Sequence, residues 1–261
     1  MITQHQLRRP VKQMLRRLGL VLHWYRPGYF HEDRLATWNQ TAFLEDPAFQ
    51  AALSRGEQAS PRHPKIRWRL HVVLWAAKQA ARLPGNFAEC GVNTGFLMTA
   101  VMHHLNWNSL GKHAWLFDTF EGLDPALVTS EEAADGRLSL YKDTNIDAVK
   151  RSFAEYEQVH FVQGSVPASL EGTDTGPIAF LSIDMNNAAP EIAAFRHFWP
   201  QMVPGGYVVL DDYNYEGYPV QHRAFDALAD ELGFEILSLP TGQGLIQKPA
   251  HPVASSEVST T

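Results

Sequence analysis

Hydrophobic and polar positions alternate along the middle of the chain in blocks of two kinds. Segments at helical spacing run from Ile66 to about Arg82, Phe96 to Leu105, Asp147 to Tyr156, Pro190 to Trp199 and Val220 to Leu232. Between them lie short apolar runs with the brevity of strands: Asn86 to Cys90, His113 to Phe117, His160 to Gln163, Ile178 to Ile183 and Tyr207 to Leu210. Phe234 to Leu237 and Gly244 to Gln247 read as a final antiparallel pair, and Pro204-Gly205-Gly206 as a turn. Strand and helix in alternation predict an α/β fold: a doubly wound, mostly parallel seven-stranded sheet with an N-terminal helical extension. The strands lack a clean polar face, as a sheet covered on both sides requires.

Three zones follow. Residues 1–60 form a basic and aromatic extension, residues 61–248 the sheet-bearing domain, and residues 249–261 a Ser/Thr-rich tail expected to be unstructured. The 261 residues are 45% hydrophobic, enough for a real core, and no apolar run reaches the roughly 20 residues of a membrane-spanning helix. A single cysteine, Cys90, excludes an intramolecular disulfide and a multi-thiolate zinc site, and reads as a buried filler. A cytoplasmic location is the default expectation. The net charge is −6; six basic and no acidic residues in 1–30 leave −12 for the rest. An acidic body argues against a nucleic-acid partner. Leu7, Val11, Leu15, Leu18 and Leu22 recur at helical spacing, so the basic arm suits a partner subunit in a homo-oligomer, a lid, or a peripheral contact with an anionic membrane.

In such folds ligands bind beyond the carboxyl ends of the strands, and here those ends carry Glu89, Asp118, Asp184, Asp211 and Asp212. The first strand runs into Glu89-Cys90-Gly91-Val92-Asn93-Thr94-Gly95, a glycine turn opening a helix. It is neither G-x-G-x-x-G nor a P-loop, because Asn93 and Phe96 stand where the dinucleotide fingerprint has glycine. An acid before the turn repels a pyrophosphate and attracts a cation, such as the sulfonium and amino groups of S-adenosylmethionine. Glu89, Gly91, Asn93 and Gly95 are therefore candidate cofactor residues, with Asp118 placed to accept ribose hydroxyls. Asp184, Asp211 and Asp212 end neighbouring strands. Three close carboxylates repel one another, and an all-oxygen set favours Mg²⁺ or Ca²⁺, which can lower the pKa of a substrate hydroxyl.

The segments FAECGVNTG, LFDTFEGL, VHFVQGSVP, AFLSIDMN and PGGYVVLDDY resemble the macrocin O-methyltransferase (TylF-like) family over roughly residues 64–248. The resemblance implies a class I S-adenosylmethionine-dependent O-methyltransferase that uses Mg²⁺ and acts on a sugar hydroxyl of a natural product. It implies cofactor contacts at Glu89, Gly91 and Asp118, a turn over the ribose from Thr119, Phe120, Glu121 and Gly122, and Gly164 and Ser165 near the adenine. Asp184, Asp211 and Asp212 match the metal-binding acids. One position departs: the family's Asp-Gly-Asp is Asp184-Met185-Asn186 here, and an amide cannot take the proton that the second acid would. Either the metal suffices, or Asp184 or a histidine such as His222 is the base. The ending SLPTGQGLIQKP resembles methyltransferase-like proteins encoded with surface-polysaccharide genes, which implies a glycan acceptor. Tyr213, Tyr215 and Tyr218 follow the acids, where rings can stack on a sugar; Phe195, Phe198 and Trp199 have the spacing of core residues. Two other classes stay open at this point: a nicotinamide-dependent oxidoreductase, and a non-catalytic binding module that lost its base at Asn186.

Overall fold

The computed structural model describes residues 29–142 and 144–250, together with Met14, Leu15, Arg17 and Leu18. Most of the basic arm and the tail thus lie outside the described residues, as do the expectations placed on them. A hairpin opens the described chain, with β1 (Phe30–Glu32) antiparallel to β2 (Leu35–Thr37). Helices α1 (Pro47–Ala59) and α2 (Arg67–Ala80) follow. Asp46 caps α1 by accepting from the amides of Ala48 and Phe49, and Pro47 occupies the first turn, where no amide is needed.

The main sheet has seven strands: β3 (Asn86–Cys90), β4 (Ala114–Asp118), β5 (Val159–Gln163), β6 (Ile178–Ile183), β7 (Met202–Leu210), β8 (Leu237–Ser238) and β9 (Gly244–Gln247). Their spatial order is β5-β4-β3-β6-β7-β9-β8, with β9 antiparallel to its two neighbours and the other pairings parallel. The connecting helices are α3 (Phe96–His104), α4 (Ser130–Ala134), α5 (Ile146–Ser152), α6 (Ala188–Phe198) and α7 (Pro219–Leu232).

Side chains one apart on a strand enter opposite layers, as pleating demands. Phe87 and Val209 join Phe49, Leu70, Phe96 and Met102 on one face. Ala88, Cys90, Val208 and Leu210 join Phe195, Phe198 and Phe225 on the other. Both faces are covered, which is why no strand shows a polar side. The boundary expected at residue 60 does not separate two packing units. Phe49, Ala52 and Leu53 of α1 belong to the same core as α2 and α3, because Gly56 lets α1 press directly on Phe96.

Two other expectations shift. Pro204-Gly205-Gly206 does not precede the strand but lies within β7, where the pairing with β6 slips between Ile178–Met202 and Phe180–Tyr207. Gly206 fits because a β-carbon there would lie 2.9 Å from the Ala179 carbonyl. The strand expected at Phe234–Leu237 is only Leu237–Ser238. Gly233 ends α7 in the left-handed region at φ 68°, and Phe234 is drawn into the core against Phe195 and Trp199.

The order of strands reverses between β3 and β6. Chain after β3 runs outward to β4 and β5, then returns to pair β6 on the other side of β3. A crevice opens at such a switch point, beyond the strands' carboxyl ends.

Candidate active site

The crevice has two chambers. The first, with about 660 Å³ of space open to solvent, is walled by Gly91, Asn93, Asp118, Thr119, Gly122, Leu127, Gly164, Ser165 and Pro190 among others. The second, about 1020 Å³, runs over Ile66, Arg69, Glu89, Phe96, Asp211, Asp212, Tyr215 and Tyr218. Gly91, Asn93, Tyr141, Asp184 and Asn186 line both, so the chambers meet at Asp184.

Hydrogen bonds between strand ends fix the rim. The Gly91 amide donates to the Phe117 carbonyl (2.9 Å), the Asp184 amide to Cys90 (2.8 Å) and the Asp211 amide to Ile183 (3.0 Å). Gly91 sits at φ 92°, and a β-carbon there would fall 1.8 Å from the Asp184 carbonyl oxygen. Only glycine lets these two strand ends come so close.

Asp118 closes β4 and binds backbone. Its Oδ2 accepts from the amides of Val92 and Asn93, both at 2.7 Å, and its Oδ1 from Phe120 at 2.7 Å. The carboxylate thereby ties the glycine turn to the turn at Thr119–Gly122, and any ribose contact must use its remaining lone pairs. Thr119, Gly164 and Ser165 line the first chamber. The Phe120 ring does not: it is buried in the core, and the residue contributes its amide. Gly95 starts α3 at φ 89°, close against Phe153, and lines neither chamber.

Glu89 is 1% exposed, lines the second chamber beside Gly91, and its Oε2 has no hydrogen-bond partner. Burial, then Asp118 and Asp211, hold its carboxyl well above the usual range. Once ionised, this buried acid with one empty oxygen can receive a cation such as the ammonium of an amino-acid moiety.

Asp184, Asp211 and Asp212 each present an oxygen, all within 4.8 Å of one another, the single such group of metal-ligating type among the described residues. Burial and then Asp211 and Asp212 push Asp184 far above the ordinary carboxylate range. Burial and Asp211 lift Asp212 to about 7, against the pull of Arg69. Arg69 from α2, which motif reasoning did not single out, enters this cluster. Its Nη1 donates to Asp211 Oδ2 (2.5 Å) and Asp212 Oδ1 (3.1 Å), while Gln243 Nε2 donates to Asp211 Oδ1 (3.0 Å). With all three acids ionised, as a bound ion would favour, three carboxylates less one guanidinium leave two negative charges among all-oxygen donors, a set that fits Mg²⁺.

Asn186 is held in the left-handed region (φ 62°) and is fully employed. Its Nδ2 donates to Asp184 Oδ1 (3.0 Å) and its Oδ1 accepts from the Tyr218 hydroxyl (2.6 Å). Arg137 donates to the Asn186 carbonyl (2.7 Å), to Gln221 and to the Gly217 carbonyl, and lies 3.9 Å from the Tyr218 ring centroid. Tyr215 and Tyr218 line the second chamber; Tyr213 packs in the core, with its hydroxyl on Asp226.

His222 is not brought to the site. Its Nδ1 meets the Tyr213 carbonyl (2.9 Å), its Nε2 faces Asp226 (3.4 Å), and it lines neither chamber. The helix phase explains this: α7 turns Gln221, fully buried against Arg137, inward and His222 aside. Arg69 had a readable sign, since it lies on the buried stripe of α2 with Val73, Ala76 and Ala80, where a charge needs a partner. Tyr141, at the junction of the chambers, sits in an irregular segment with no pattern to mark it.

Known proteins resemble this chain in sequence and in fold. The profile of the family described as macrocin-O-methyltransferase (TylF) matches residues 68–229. The chain is 27% identical over 144 residues to 8-demethyl-8-(2,3-dimethoxy-α-L-rhamnosyl)-tetracenomycin-C 4′-O-methyltransferase of Streptomyces olivaceus, covering 50% of this chain and 54% of that protein. It is 24% identical over 159 residues to mycinamicin III 3″-O-methyltransferase of Micromonospora griseorubida, covering 56% and 62%. These matches span less than two thirds of either relative. Among solved structures, the O-methyltransferase NovP superposes with a TM-score of 0.64 at 17% identity, over 80% of this chain and all of that one. Calicheamicin methyltransferase CalS11 gives 0.58 at 16% identity, over 87% and 98%. These two show the shared fold. Since the family profile spans well over half of the sequence, the chain belongs to the macrocin-O-methyltransferase (TylF) family.

Proposed function

We propose that the protein transfers a methyl group from S-adenosylmethionine to a hydroxyl of a sugar or glycosylated small molecule, with a divalent cation assisting. The observation that carries this reading is the junction. A chamber rimmed by the glycine turn and a chamber rimmed by carboxylates share Gly91, Asn93, Tyr141, Asp184 and Asn186, with the empty Oε2 of Glu89 beside them. The relatives named above carry primed methylation positions in their names, and one names a rhamnosyl group, which supports a sugar acceptor.

The chain's residues divide the work. Gly91, Thr119, Gly164 and Ser165 border the nucleoside end, and Asp118 holds the two turns that frame it. Glu89 receives the amino group. Adenosylmethionine supplies an electrophilic methyl on a sulfonium. Asp184, Asp211 and Asp212 would hold a divalent ion, which when bound would supply Lewis acidity to lower the pKa of an acceptor hydroxyl. Asn186 fixes Asp184 through Oδ1, leaving Oδ2 without a protein hydrogen bond among the described residues and available either to the ion or to the hydroxyl proton. Tyr141, half-buried where the chambers meet, narrows the passage between them. Most of the rate gain therefore comes from alignment of hydroxyl and methyl along one line.

Incubating the protein with methyl-labelled adenosylmethionine and a panel of rhamnosides and other glycosides, with Mg²⁺ or with EDTA, tests the reading. Label enters at least one glycoside only with the ion present. Binding of adenosylhomocysteine without transfer to any member would leave a binding module, and binding of NADH instead would leave an oxidoreductase.

A further inference from the structure

The hairpin β1–β2 turns at Asp33 and Arg34, both in the left-handed region (φ 50° and 62°), as a two-residue hairpin turn of the primed type requires. The side chains of that turn reach the carboxylate cluster. Asp33 Oδ2 accepts from Arg69 Nε (2.6 Å) and its Oδ1 from the Tyr215 hydroxyl (2.7 Å). Arg34 Nη1 donates to the carbonyl and carboxylate of Glu216, each at 2.9 Å. The tip is thus fastened to the loop behind Asp211 and Asp212. One guanidinium, stacked 4.1 Å from the Tyr215 ring centroid, serves three acids from two sides: Asp33 at Nε, Asp211 and Asp212 at Nη1.

Arg69 and a divalent ion make the same demand on the same oxygens. Burial opposes the guanidinium's charge, but Asp211, Asp212 and Asp33 more than offset it, so Arg69 stays a cation. We propose that Arg69 is a resident counter-cation that competes with a divalent ion for Asp211 and Asp212, and that Asp33 sets the strength of that competition by holding the guanidinium from its far side. The inference rests on the metal-assisted reading above. It makes Arg69 and Asp33 positioning residues, tuning how tightly the cluster takes the ion.

The signs distinguish this role from that of a structural brace. If Arg69 competes, a neutral side chain at 69 frees Asp211 Oδ2 and Asp212 Oδ1 and deepens the negative potential, so a divalent ion binds more tightly. If Arg69 only braced the acids, the same change would let them splay, and binding would weaken. Neutralising Asp33 removes a negative charge and gives the guanidinium wholly to Asp211 and Asp212. Both effects weaken ion binding. Because Asp33 acts mainly through Arg69, its effect should shrink to the small direct loss of charge once Arg69 is neutral.

Titration of the full-length protein with Mn²⁺, read by the free-ion EPR signal without adenosylmethionine or acceptor, tests this. Arg69→Gln, which keeps hydrogen-bond donors, should bind about tenfold more tightly than wild type and Asp33→Asn about threefold more weakly. The double variant should match Arg69→Gln within about twofold. Wild type that binds Mn²⁺, with Arg69→Gln binding equally or more weakly, overturns the competition and leaves the metal-assisted reading in place. Binding by Arg69→Gln but not by wild type supports the competition and removes the metal from the native mechanism. Binding by neither overturns both. Should Arg69→Gln fail to give a cooperative melt, Asp33→Asn decides alone, and unchanged or tighter binding there refutes the proposal.

Discussion

Replacing Glu89 by Gln should move stability and cofactor affinity in opposite directions. The side chain is 1% exposed, its Oε2 is unpartnered, and burial with Asp118 and Asp211 nearby raises its pKa well above that of a free glutamate. In the ligand-free protein a proton on Glu89 therefore favours the fold. The contribution is complete below the unfolded-state pKa and is lost as pH rises through the higher folded-state value. An amide of the same shape carries no charge to desolvate, so at neutral pH the variant should be more stable by about 1–3 kcal/mol. Adenosylhomocysteine retains the amino group that Glu89 is proposed to receive, and loss of a charge-assisted hydrogen bond costs about 1.5–3 kcal/mol, or roughly 10- to 100-fold in affinity. Wild-type affinity should rise with pH as Glu89 loses its proton, until the ligand amine itself deprotonates, and the rise should be absent in the variant. Calorimetric titration across pH, alongside thermal melts, reads both effects. Affinity within twofold of wild type would refute the role of Glu89; a lower melting temperature together with lost affinity would show that the residue is a structural brace.

Three other substitutions probe separate parts of the site. Asp211→Asn should cut methyl transfer at least about a hundredfold while adenosylhomocysteine affinity, measured by calorimetry, stays within about threefold, and excess EDTA should do the same to wild type. Gly91→Ala should cost several kcal/mol, roughly 3 or more, in a denaturant melt and abolish cofactor binding, because its β-carbon would strike the Asp184 carbonyl at 1.8 Å in a strained backbone. His222→Ala should leave kcat/KM within about twofold, since both ring nitrogens are engaged away from the chambers; a hundredfold loss would restore it as a base.

The fold was legible because the parallel strands are short apolar runs, four of the five with an acid at or next to the carboxyl end, and the helices between them keep their period. What escaped notice depends on packing between distant segments. Residue 60 reads as a boundary only along the chain; in space Phe49 and Leu53 of α1 sit in the core with Leu70 and Phe96. Likewise Pro204-Gly205-Gly206 has turn composition, yet close approach to Ala179 makes it a register slip inside β7. The carboxylates at the strand ends were visible because a parallel sheet delivers every carboxyl end to one edge. Asp33 and Tyr141 reach that edge from a hairpin and an irregular segment, so no spacing announced them, and Arg69 was marked only by its place on the buried stripe of α2. His222 was misplaced by one position of helix phase, which only the packing of Gln221 against Arg137 determines. Phe120 matched a turn by its residue type, but the left-handed backbone there (φ 55°) turns its ring into the core.

The central claim is that the glycine-turn chamber and the carboxylate chamber form one reaction path meeting at Asp184. Electron–nuclear double resonance on the protein loaded with Mn²⁺ and adenosylmethionine labelled with ¹³C at the methyl group reads that junction directly. A resolved ¹³C hyperfine coupling, lost in Asp184→Asn, is the expected result. Bound Mn²⁺ and bound cofactor with no coupling between them would contradict it.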